Sequence, residues 1–237
     1  MGYILLEGGA EFGGQMAEPD RQAIMLAGGP DTPISIIPAA AAPDKNHQRA
    51  GRNGVGWFRR LGATNVSALP LLDGPSADAP ELAETLRKSK LIYLLGGFPQ
   101  YLAQTLNGSR SWQALLDAYL SGAVIAGSSA GAMVLCKYYY DPLSSRVVEG
   151  LNLVKHIFIL PHHNTYGKDW FPLLKHQLPD EILVGIDEET GAITDTAQEN
   201  WRVHGKGKIT LYHHGRLVKF RAGQAFNPVS YTHLRAH

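Results

Sequence analysis

The chain has 237 residues, a net charge of +1 and an apolar content of 44%. That is ample for one α/β domain with a sizeable core, and it excludes a disordered chain and a strongly basic binder of nucleic acid or membrane surfaces. The single cysteine, Cys136, excludes an intrachain disulfide and cannot by itself build a structural zinc site.

The first apolar run, Tyr3–Leu6, is short and no basic segment precedes it, so it does not read as a signal peptide. No stretch approaches the ~18–20 apolar residues of a membrane helix. A cytoplasmic protein with no membrane or nucleic-acid partner is the expectation. Tyr3–Leu6, Ile34–Ile37, Val66–Leu69, Leu91–Leu95 and Val124–Ala126 predict strands buried on both faces. Between them, Pro19–Leu26, His47–Leu61, Pro80–Lys88 and Ser111–Leu120 carry helical spacing. In the last, Trp112, Leu115, Leu116, Tyr119 and Leu120 share one face, with Ser111 as the expected N-cap and Gly122 as the stop. This alternation predicts an α/β fold, a doubly wound and mostly parallel sheet with helices on both faces.

After about residue 180 the pattern changes. Leu183–Ile186, Ala192–Thr194, Arg202–His204, Lys208–Tyr212 and Leu217–Phe220 are short strands separated by Gly-containing turns. They predict a small C-terminal antiparallel β appendage on one edge of the same domain. Residues 1–225 are read as one domain and 226–237 as a tail. The last ten residues fit neither period and look like translated adapter sequence.

The sharpest chemical signal is Gly127-Ser128-Ser129-Ala130-Gly131-Ala132, between the strand Val124–Ala126 and a helical run predicted over Met133–Tyr139. This is G-x-S-x-G in strand-turn-helix context, the nucleophile-elbow arrangement. The turn is tight enough to require minimal side chains two residues either side of the nucleophile, so Ser129 rather than Ser128 is the exposed hydroxyl. The Ala130 N–H, at a helix N-terminus, points at a developing oxyanion. A Gly/Ser-rich helix cap without chemistry is the plainer alternative.

A serine nucleophile needs a base, usually a histidine oriented by a carboxylate. Of ten histidines, His162 is best placed, just past the buried-strand pattern Ile157–Leu160. Adjacent residues of an extended chain point to opposite sides, so only one of His162 and His163 can face Ser129. A zinc site is disfavoured, because a His-His pair lacks helical i, i+4 ligand spacing. The acids between Ser129 and His162 are Asp141 and Glu149, either of which could simply be solvated. Asp187-Glu188-Glu189 is read as a solvated acidic turn. Gly96-Gly97 follows a strand and can bring a second N–H to the oxyanion. The glycine-rich Gly8–Gly14 segment matches neither the dinucleotide nor the P-loop pattern.

With these residues in place, the chain resembles the S51 serine peptidases, which include aspartyl dipeptidases and cyanophycinases. The resemblance runs from Gly8-Gly9 to about Gly223. It rests on Leu95-Gly96-Gly97, Ala126–Ala132, Gly150-Leu151-Asn152-Leu153, Pro161-His162 and Gly185–Thr190. It implies a flavodoxin-like sheet related to class I glutamine amidotransferases, and a nucleophile, acid and base in that chain order. By that likeness Ser129 is the nucleophile, His162 the base and Asp141 the acid, with Glu149 in reserve. Gly97 and Ala130 donate to the oxyanion. Phe98-Pro99-Gln100 replaces the Asn or Asp that the family commonly has after the glycine pair, so the family's substrate is not carried over; Gln100 is the substrate-binding candidate there. The implied activity is hydrolysis of a small peptide or isopeptide, an aspartyl one included, with no metal or organic cofactor. An esterase or acyltransferase with the same triad, or a non-catalytic small-molecule-binding domain, are the alternatives. A homodimer paired through a sheet edge or helix face is kept open.

Overall fold

A computed structural model describes residues 1–178 and 180–231 of the chain. Five strands make a parallel core: β1 (Tyr3–Glu7), β2 (Ile34–Ile37), β3 (Val66–Ala68), β4 (Leu91–Leu94) and β5 (Val124–Ser128). They lie in the order β1-β5-β4-β2-β3, a flavodoxin-like winding in which the chain's first strand takes the last place beside β5. Successive side chains alternate between the two faces. Leu5, Tyr93, Val124 and Ala126 face one core, while Ile4, Leu6, Ile92, Leu94 and Ile125 face the other. Both faces are apolar because helices cover both. Ile24 of α1 (Ala17–Leu26) and Trp57 and Phe58 of α2 (His47–Arg60) cover the first. On the second lie α3 (Gly74–Ala77), α4 (Pro80–Lys88), α5 (Pro99–Leu106), α6 (Arg110–Leu120) and α7 (Ala130–Leu135).

The rest of the chain supplies β6 (Tyr138–Asp141), β7 (Arg146–Glu149), β8 (Ile157–Leu160), α8 (Phe171–Gln177), β9 (Ile182–Ile186), β10 (Thr190–Thr194), β11 (Trp201–Gly205), β12 (Lys208–His213), β13 (Arg216–Arg221) and β14 (Ala225–Phe226). The predicted single appendage is divided. β10, β11 and β14 continue the central sheet antiparallel beyond β1, whereas β8, β9, β12 and β13 form a separate four-stranded sheet. In that sheet β8 and β9 are parallel, with Leu160 opposite Gly185.

Three local expectations are corrected. The run after the elbow is helical only to Leu135, because Tyr138–Tyr140 are aromatic residues that enter a hairpin with β7. Ser109, not Ser111, caps α6, accepting the Trp112 N–H at 3.0 Å. Phe226 belongs to the sheet rather than to a tail, since it pairs with and stacks on Trp201. Pro228–Tyr231 form a short 3-10 turn, and residues 232–237 lie outside the described residues. Among the described residues, no helix is long and apolar enough to cross a membrane.

Candidate active site

The C-terminal ends of β1, β4 and β5 and the N-terminal end of β10 meet at one edge of the central sheet, where ligands of open α/β sheets bind. Ser129 stands there between β5 and α7 with φ 49° and ψ −112°, a conformation a non-glycine residue adopts only when its surroundings impose it. Those surroundings are backbone. The Ser129 N–H donates to the Glu7 carbonyl at 3.0 Å. A Cβ at position 127 would lie 2.5 Å from the Gly131 carbonyl carbon, and one at 131 would lie 2.2 Å from the Leu94 carbonyl oxygen. The glycine spacing is therefore a steric requirement of the elbow, and it leaves the Ser129 hydroxyl at the surface of the edge.

His162 follows β8. Its Nδ1 lies 2.7 Å from Glu188 Oε1 and its Nε2 3.0 Å from Ser129 Oγ. A carboxylate only accepts, so Nδ1 carries the proton and Nε2 is left to accept from the Ser129 hydroxyl. The ring is held on several sides. Tyr166 stacks on it at 4.8 Å, and the His162 N–H donates to the Gly8 carbonyl. Gly9, with φ +117°, is bare where the ring passes, for a Cβ there would lie 2.2 Å from Cε1. The glycine-rich segment after β1 thus admits the imidazole rather than a nucleotide. Glu188 is itself fixed, its N–H donating to Asn164 Oδ1 at 2.8 Å and its carboxylate reached by Thr165 Oγ1 at 3.4 Å.

The expected acids are elsewhere. Asp141 is buried in the β6–β7 hairpin, where Oδ2 accepts from the Ser144 N–H at 2.9 Å and the Ser144 hydroxyl at 2.5 Å. It closes that turn and does not touch His162. Glu149 is exposed on β7. The acidic run 187–189 is not a solvated face either: Glu188 meets His162, Asp187 is buried against His163 and Lys208, and Glu189 accepts the Gln15 N–H. Burial alone would raise the Asp187 carboxyl, but hydrogen bonds from His163 and the Lys208 N–H, with the Lys208 charge, hold it below its usual range. His163 points away from Ser129 and bonds Tyr212 Oη at 2.9 Å. The pair therefore divides, one histidine to the site and one to the core, but the alternation of an extended chain is not the cause: His162 has φ 48° in the turn that follows β8.

Gly97 has φ +137°, and a Cβ there would lie 2.3 Å from the Ala40 carbonyl oxygen. Gly96 is the neighbour of Ser129: a Cβ on it would lie 3.3 Å from the serine Cβ. Neither the Gly97 nor the Ala130 N–H has a backbone acceptor among the described residues, so both are free to donate to a bound group. Gln100 is half-buried in the first turn of α5, directly after this glycine pair.

Carboxyl groups crowd the other side of the edge. Glu7 is fully buried and accepts from Tyr93 Oη at 2.5 Å, and Asp20 accepts from Trp57 Nε1 at 2.7 Å. Burial first, and then the Asp20 charge, push the Glu7 carboxyl well up; burial pushes Asp20 up to about 7. Glu11, half-buried, accepts the Gly96 N–H at 3.1 Å, and burial pushes it up to about 7. Glu11 also lines a cavity of about 540 Å³ whose wall includes Arg49, Arg52 and Arg60. Among the described residues, no group of three or more His, Cys, Asp or Glu is arranged to hold a metal ion.

Residues 4–196 match Peptidase family S51. A cyanophycinase of Geminocystis herdmanii (strain PCC 6308) is 26% identical over 255 residues, covering 99% of this chain and 89% of that protein. An uncharacterized peptidase of Pasteurella multocida (strain Pm70) is 30% identical over 104 residues, 40% of this chain and 50% of its own. The crystal structure of a peptidase from an acI-B1 Actinobacterium superposes with a TM-score of 0.85 at 30% identity, covering 96% of this chain and 97% of that one.

Proposed function

The chain belongs to peptidase family S51, and on that premise we propose that it cleaves a small peptide or isopeptide bond through an acyl-enzyme on Ser129. The observation that carries this reading is the continuous hydrogen-bonded line from Ser129 Oγ through both nitrogens of His162 to Glu188. The Ser129 hydroxyl adds to the scissile carbonyl carbon and its proton passes to His162 Nε2. Glu188 stabilises the imidazolium that results. The carbonyl oxygen becomes an oxyanion facing the Gly97 and Ala130 N–H groups, aided by the N-terminus of α7. Collapse breaks the C–N bond, and the Nε2 proton goes to the departing amine. Water then gives a proton to Nε2, adds to the acyl group and releases the acid, restoring Ser129.

The arginine-walled cavity that Glu11 lines supports a substrate with an acidic group, such as an aspartyl residue. The test is amino-acid release from a panel of dipeptides, including α- and β-linked N-terminal aspartyl forms. Wild type should release product, and Ser129→Ala should lose at least about 10³-fold in kcat. Equal turnover by the two would end this reading.

A further inference from the structure

We propose that Glu11 anchors the free α-amino group of the residue whose carbonyl Ser129 attacks, so that the enzyme acts on unblocked amino termini. This rests on the acyl-enzyme reading above. The placement is unusually close. A Cβ added to Gly96 would lie 3.3 Å from the Ser129 Cβ and 3.4 and 3.5 Å from the two Glu11 carboxylate oxygens. The carboxylate and the nucleophile are thus neighbours across one bare glycine, and the Gly96 N–H fixes the carboxylate there at 3.1 Å.

Peptide geometry says what such an anion meets. The α-nitrogen of a residue lies only about 2.5 Å from its carbonyl carbon. That carbon comes to about 3–3.5 Å from the hydroxyl at attack. A carboxylate this near Ser129 is within reach of the α-amine of the attacked residue rather than of the tip of a long side chain. The other charged residues lining the same cavity, Arg49, Arg52 and Arg60, are cationic, and none of them forms an ion pair among the described residues. Glu11 is the one place in that wall that attracts an ammonium.

The same placement has a catalytic consequence. An ionised carboxylate beside the oxyanion donors opposes the negative charge that develops on the carbonyl oxygen, whereas an ammonium held against it cancels that opposition. An acylated amine brings no such charge and would leave the half-buried carboxylate without a counter-ion. Burial already raises the Glu11 carboxyl to about 7, and an ammonium against it would draw it back towards the ionised form.

The test is protection of Ser129 from a fluorophosphonate, read by mass spectrometry on the full chain, with dipeptides offered in pairs that differ only in N-acetylation. In wild type the unblocked member should protect at concentrations at least tenfold lower. Glu11→Gln should bring the pair within twofold, and Glu11→Asp, one methylene shorter, should leave a reduced preference of the same sign. Equal protection in wild type, or a preference unchanged in either variant, overturns the proposal. Failure of Ser129 to react in wild type would instead count against the acyl-enzyme reading.

Discussion

Glu188→Gln separates the charge beside His162 from the shape beside it. The glutamine keeps an oxygen to accept the Nδ1 proton but cannot stabilise the imidazolium formed when His162 takes the Ser129 proton. The carboxylate oxygen lies 2.7 Å from Nδ1, and the side chains are 16% exposed for His162 and 32% for Glu188. Both charges are delocalised, so their centres lie farther apart than the contacting atoms; two unit charges about 4 Å apart near a protein surface interact by about 4 kcal/mol at an effective dielectric of 20, and the exposed face of Glu188 reduces this to roughly 2–4 kcal/mol. The expected fall in kcat/KM is about 30- to 10³-fold. Asp141→Asn provides the contrast. That carboxylate only closes the turn to Ser144, so its loss should lower the melting temperature and leave kcat/KM within about twofold. The assay is steady-state amino-acid release with the folded fraction checked by circular dichroism. Glu188→Gln within threefold of wild type, or Asp141→Asn losing as much as Glu188→Gln, would refute the assignment of the acid.

Gly131→Ala places a Cβ 2.2 Å from a strand carbonyl oxygen that cannot give way; denaturant titration should show a loss of about 3 kcal/mol or more. Gly9→Ala displaces the His162 ring from the position that reaches Ser129, and kcat should fall about 10²-fold in protein that still folds. The buried Glu7–Asp20 pair makes stability depend on pH. Both carboxyls are raised in the folded protein, so between about pH 4 and 7 the folded state holds more protons than the unfolded one, and stability falls as pH rises. The slope is about 1.4 kcal/mol per pH unit for each proton retained. Glu7→Gln, which keeps an acceptor for Tyr93 Oη, should flatten that slope in thermal melts taken across the window; an unchanged slope would place its origin elsewhere.

The parallel core was legible because strands buried on both faces leave continuous apolar runs, as in Leu91–Leu95. The elbow was legible because its glycines answer to backbone atoms of Gly131 and Leu94, so the motif is a local steric necessity. The carboxylate beside His162 was not, because Glu188 reaches the ring through the pairing of β8 with β9, a contact between distant parts of the chain. One signal was present. Ile157–Leu160 and Ile182–Ile186 are matching buried runs that end in Pro-His-His and Asp-Glu-Glu, and parallel pairing of the two carries both ends to the same edge. Glu11 left no mark in the sequence, since its role depends on β1 and β4 delivering their following loops to one side of Ser129.

The most direct measurement is the rate and site of fluorophosphonate modification in wild type and in His162→Ala, with the modified peptide sequenced by mass spectrometry. If Ser129 is the nucleophile and His162 its base, the label sits on Ser129 and the rate falls by at least about 10²-fold without the imidazole. A label on Ser128, or a rate indifferent to His162, would contradict it.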